Sequence, residues 1–158
     1  MNREQKNAIV IHDIPSSQYY EHQRGEVLGL VPKEANRILD VGCGTGKLGE
    51  NIKKRQKAIV YGVEVVESEA NKASKRLDRV WNKSIEETLK EISDESFDCI
   101  ITAYVLEHLV DPWATLKHLK QKLVPGGKII ASIPNVRTWS VLSKLIEGEW
   151  QYEREGLL

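Results

Sequence analysis

The chain has 158 residues, 41% of them hydrophobic and 29% charged, which is the make-up of one globular domain long enough to bury a core. Twenty-three basic residues balance twenty-three acidic ones, which argues against a general affinity for nucleic acid or an anionic membrane surface. The opening MNREQKN is polar and no apolar run approaches the roughly 20 residues that span a bilayer, so a cytoplasmic protein without signal peptide or membrane anchor is expected.

In chain order, SSQYYEHQRGEVLGLVP from Ser16 reads as largely helical and offers Tyr19, Tyr20, Val27, Leu28 and Leu30 to a core. Residues 1–36 are taken as an N-terminal helical segment and 37–158 as the body of what is a single domain overall. From Arg37 onward, strand-like runs alternate with helical patterns, the signature of a parallel sheet covered by helices. The strands are RILDV, AIVYGVEV, DRVWN, FDCIITAYV and GKIIASIP, beginning at Arg37, Ala58, Asp78, Phe97 and Gly127. Before the last of them, Trp113, Leu116, Leu119 and Leu123 form one apolar helical stripe behind an Asp111–Pro112 start, with the acid as cap and proline in the first turn. VPGG, Val124 to Gly127, is expected to be the turn that ends this helix. A final helix should carry Trp139, Leu142, Leu145 and Ile146.

ILDVGCGTGKLG, Ile38 to Gly49, sets Gly42, Gly44 and Gly46 at alternate positions directly behind a buried strand. Glycines at such a mouth let the chain take positive φ and let a ligand's polar atoms approach the backbone, beside the free N–H groups of a helix start. The G-x-G-x-G spacing is neither the G-x-G-x-x-G dinucleotide fingerprint nor a P-loop, since Lys47 is followed by Leu48 rather than a hydroxyl for magnesium. Glu64, twenty residues beyond Gly44 at the end of the second strand, has two oxygens to offer a ribose diol. Together these imply a nucleoside cofactor, with a solvated strand-end carboxylate as the plainer alternative. Cys43 and Cys99 lie in apolar settings and read as small buried residues; no Cys/His spacing suggests a metal site, and Asp94, Glu95 and Asp98 read as a solvated turn at the wrong end of a strand.

LDVGCGTG, GVEVV, FDCIITAYVLEHL and LVPGGKIIASIPN follow one another in the order and spacing of class I S-adenosylmethionine-dependent methyltransferases, and the chain resembles that family from about Tyr19 to its C-terminus. The resemblance implies an α/β fold, a doubly wound Rossmann-like parallel sheet of order 3-2-1-4-5 with the ligand at its switch point. It implies S-adenosylmethionine as cofactor and S-adenosylhomocysteine as product. Within the loop Gly42, Cys43, Gly44 and Gly46, it sets Gly42 and Gly44 against the methionyl part and Asp40 on its amino group. It sets Glu64 on the ribose and Val65 against the adenine, with Ser84 where the family often carries an acid for the adenine amino group and Ile85 over the ring. Ala103 and Tyr104 would line the methyl-transfer site, and Tyr20 and Arg24 match an N-terminal helix that closes over the cofactor, Arg24 pairing its carboxylate.

A methyl on a sulfonium is already activated, so a base is needed only where the acceptor must lose a proton. His108, with Glu107 to position it, is the candidate in YVLEHL, since an unperturbed imidazole titrates near pH ~6.5. The expected reaction is methyl transfer to a small-molecule or sugar-like acceptor; the runner-up is a non-catalytic cofactor-binding fragment needing a partner, and a nicotinamide oxidoreductase is disfavoured by the loop spacing. In similar methyltransferases the sheet runs on past the fifth strand into an antiparallel pair, which this sequence ends without at Leu158. The fifth strand is therefore expected to present an apolar edge, open to self-association or covered by the C-terminal helix.

Overall fold

The structure, a computed structural model, describes residues 25–135 and 137–149. Tyr19, Tyr20 and Arg24 lie outside the described residues.

Five parallel strands form one sheet in the order β3-β2-β1-β4-β5. They are β1 (Arg37–Val41), β2 (Ile59–Val63), β3 (Arg79–Trp81), β4 (Phe97–Ala103) and β5 (Leu123–Ser132). The helices are α1 (Gly25–Leu30), α2 (Lys47–Arg55), α3 (Glu67–Ala73), α4 (Ile85–Thr88), α5 (Pro112–Lys122) and α6 (Trp139–Ile146), with a 3-10 turn at Leu106–His108. The doubly wound order implied by the resemblance is the order found.

The strands are apolar on both faces because helices cover both. Ile38 of β1 faces one cluster with Leu48, Ile52, Val60, Cys99 and Ile101, while Leu39 and Val41 face another with Val63, Phe97, Ile100 and Leu119. The switch point lies at β1, whose neighbours β2 and β4 are followed by helices on opposite faces, so the loops at the carboxyl ends of β1 and β4 diverge and leave a crevice. The segment before β1 is sewn to the body: Val27, Val31 and Ala35 are buried in the first cluster. Arg55 donates to the carbonyls of Leu28 and Val31, and Gln56 to those of Pro32 and Ala35.

Several expectations are corrected. Leu30 is exposed, whereas Val27 carries the α1 contact. Trp113 is exposed on α5, and Thr115 and Leu119 do the burying. Trp139, Leu142, Leu145 and Ile146 are all exposed on α6. VPGG does not precede β5 but bulges out of it: Phe97 pairs with Leu123 and Cys99 with Lys128, so Asp98 alone faces Val124, Pro125, Gly126 and Gly127. Proline has no N–H for the ladder and Gly126 sits at φ +81°, so the run leaves the pairing and rejoins it. Asp98 is no solvated turn residue either, since its Oδ2 accepts the N–H groups of Asn36 and Arg37, both at 2.8 Å, and staples the entry to β1.

Candidate functional site

The loop after β1 is made almost wholly of main-chain bonds. The N–H groups of Gly42 and Cys43 both donate to the Val63 carbonyl, at 2.8 and 3.0 Å, and Gly46 N donates to Cys43 O at 2.9 Å. Glu50 N then donates to Gly46 O and begins α2. Gly42, Gly44 and Gly46 all take left-handed φ, at +66°, +53° and +78°. What stands against two of them is the protein itself. A Cβ on Gly42 would meet Val105 Cγ2 at 2.5 Å, and one on Gly46 would meet Ala73 Cα at 3.0 Å. The bareness of these two positions therefore serves backbone shape and packing.

Glu64 closes the other side. Its carboxylate, 6% exposed, reaches back to the loop: Oε2 accepts Gly44 N–H at 2.8 Å and Oε1 accepts Val66 N–H at 2.9 Å. A carboxylate oxygen has a second lone pair, so each can take a further donor from a ligand. Asn82 pins the strand end by donating to the carbonyls of Glu64 and Val65, at 2.9 and 3.1 Å. Val65 stands 65% exposed beside it, free to face a flat apolar group. Asp40 is fully buried in β1 on the Ile38 face. Burial, with the Asp40 carboxylate adding to it, pushes the Cys99 thiol up to about 12, so Cys99 stays a neutral core residue. Cys43 is buried too, its Sγ packed so tightly on Gly62 that a Cβ there would come within 2.6 Å.

On the β4 side Ala103 is fully buried and Tyr104 turns sharply at φ +57°, a conformation rare and costly for a bulky residue. Its N–H donates to Ser132 O at 3.0 Å, and its ring is part exposed at the strand mouth. Val105, against Gly42, ties this mouth to the glycine loop. Glu107 and His108 follow in the 3-10 turn, both exposed. Ser84 is the N-cap of α4: its hydroxyl accepts Glu87 N–H at 3.2 Å while the Glu87 carboxylate accepts Ser84 N–H. Ile85 is buried in the second core cluster with Trp81 and Leu89. The structure thus brings the glycine loop, Glu64 and the β4 mouth together, and turns the Ser84 hydroxyl to capping.

Sequence reasoning missed Arg76. In the turn after α3, it donates from Nη1 to the Thr45 carbonyl at 2.7 Å, inside the glycine loop. Its Nε lies 3.8 Å from Glu50 Oε2, and Glu50 also pairs with Lys47 and Lys54, both at 3.0 Å. The Lys47, Glu50 and Lys54 spacings are legible on one helix, but nothing local announces a contact with a residue 31 positions beyond Thr45.

A family model described as a methyltransferase domain matches residues 17–157, and the chain belongs to that family, whose methyl donor is S-adenosylmethionine. The ubiquinone biosynthesis O-methyltransferase of Idiomarina loihiensis is 33% identical over 135 residues, 75% of this chain and 54% of that protein. Among solved structures, a SAM-dependent methyltransferase from Thermotoga maritima is 25% identical with a TM-score of 0.63, covering 82% of this chain and 60% of that one. The plantazolicin methyltransferase, solved in complex with S-adenosylhomocysteine, shares the fold at 22% identity and a TM-score of 0.64, over 90% of this chain and 53% of its own. The chain spans about half the length of the curated relatives it matches. Among the described residues, no helix is long and apolar enough to cross a membrane.

Proposed function

We propose that the chain binds S-adenosylmethionine across the mouths of β1, β2 and β4 and passes its methyl group to an oxygen of a small-molecule acceptor. The observation that carries this reading is the bond between Glu64 and Gly44 N–H, which aims a buried two-oxygen acceptor at an all-main-chain loop. In this reading Glu64 holds the ribose hydroxyls and the Gly42–Gly44 backbone faces the methionyl part, with Asp40 on its amino group. Val65 forms the adenine side, backed by the α4 start at Ser84 and Ile85, and Tyr20 and Arg24 cover the whole. Ala103 and Tyr104 line the path of the methyl, and His108, positioned by Glu107, takes the acceptor's proton. The oxygen acceptor is supported by relatives that are O-methyltransferases, and its apolar character by exposed Tyr104 and Ile133 beside each other at the β4 and β5 mouths.

The bound cofactor supplies a methyl activated on a sulfonium. What remains for the protein is alignment, and orientation alone is worth roughly 7–11 kcal/mol of barrier. Calorimetry with S-adenosylhomocysteine is expected to give saturable binding, with NAD giving none. Glu64→Ala should weaken that binding by about 1.5–3 kcal/mol, as for hydrogen bonds to a charged group. Saturable binding of NAD alone would sink the reading. Binding without transfer of labelled methyl to phenolic small molecules would favour a non-catalytic donor-binding subunit instead.

A further inference from the structure

We propose that Arg76 is a positioning residue of the donor site, holding the Thr45 carbonyl so that the glycine loop has its binding shape before the cofactor arrives. This rests on the donor-binding reading above.

A loop with glycines in the left-handed region at alternate positions is intrinsically soft, because glycine reaches both signs of φ at little cost. Side chains from outside the loop reach its main chain. Glu64 takes the Gly44 N–H, and Arg76 takes the Thr45 carbonyl at 2.7 Å. They act on neighbouring residues with opposite polarity, one accepting and one donating. The Glu64 bond is the one a ribose would share or displace, so the Arg76 bond is the anchor that stays when the site fills. A bond from a guanidinium is about twice as strong as one between neutral groups.

Arg76 is itself fixed at both ends from α2. Glu50 faces its Nε at 3.8 Å, and Lys53 Nζ donates to its carbonyl at 3.3 Å. Without the guanidinium, the Thr45 carbonyl loses this charge-assisted bond, and the setting of the Thr45–Gly46 peptide falls to the bond from Gly46 N–H to the Cys43 carbonyl.

The test is calorimetry with S-adenosylhomocysteine on the full chain, paired with thermal unfolding, for wild type, Arg76→Ala and Arg76→Lys. Arg76→Ala is expected to lose about tenfold in affinity. Arg76→Lys, which keeps a charged donor, should recover most of it at an unchanged melting temperature. Wild-type affinity in Arg76→Ala overturns the proposal. So does an affinity loss in both variants that merely tracks lost stability, since that is what a structural role alone would give. If the wild type itself fails to bind, the donor-binding reading falls instead.

Discussion

Gly46 shows how much one hydrogen atom decides. Its φ of +78° and the 3.0 Å approach of Ala73 Cα leave a side chain neither a comfortable conformation nor space. Gly46→Ala should destabilise the fold by about 2 kcal/mol, the left-handed penalty with a backbone clash added, read as a shift in the urea midpoint at constant slope. Gly42 is confined in the same way by Val105, so at these two positions the G-x-G-x-G pattern is a folding instruction. In the proposed reading Glu64 combines folding and binding in a single side chain. It was legible as a strand-end acid, yet its bond to Gly44 N–H was not, because nothing in GVEVV says which way a carboxylate will turn.

At the scale of elements, α2 and the turn after α3 are joined by charge. Hydrogen bonds from Lys47 and Lys54 hold the Glu50 carboxyl at about 2 against an ordinary 4.5. Burial pushes Asp78 upward, but the Val60 N–H and Lys53 more than offset it and hold the carboxyl below 3.8. Both groups are therefore more acidic folded than unfolded. Their contribution is fully present above pH 4.5 and is lost as pH falls toward about 2. Glu50 is 28% exposed, so solvent screening limits its share to about 1 kcal/mol. The melting temperature is expected to fall by about 2–4 °C per kcal/mol lost between pH 5 and pH 3, and Glu50→Gln should flatten that fall. A pH-independent melting temperature over that window would contradict the assignment. The β5 bulge belongs to this scale too: VPGG has turn chemistry, but whether a turn precedes a strand or interrupts one depends on the neighbouring ladder, here Phe97 and Cys99 of β4.

For the whole molecule, β5 stands at the edge of the sheet. Its first half is blunted by the bulge and by exposed Lys128, devices that discourage pairing. Beyond them Ile129 is half-buried and Ile133 is 60% exposed, which leaves the far half apolar. With no net charge to keep copies apart, the chain is expected to self-associate as concentration rises, and Ile133→Lys to reduce this. Light scattering that finds a monomer at all concentrations would refute it.

The alternation of strands and helices, the capped start of α5 and the loop-plus-acid pattern were all written in the sequence, since periodicity, caps and glycine spacing act over a few residues, while the strand order came from the family resemblance. The exposure of Trp113 and Trp139 was not, because an amphipathic stripe says which residues share a face but not what the fold brings against it. Nor was the grip of Arg76 on Thr45, nor the turning of the Ser84 hydroxyl to its own helix. Such contacts are chosen only when distant segments are packed and each polar group must settle with whichever partner the fold has brought within reach.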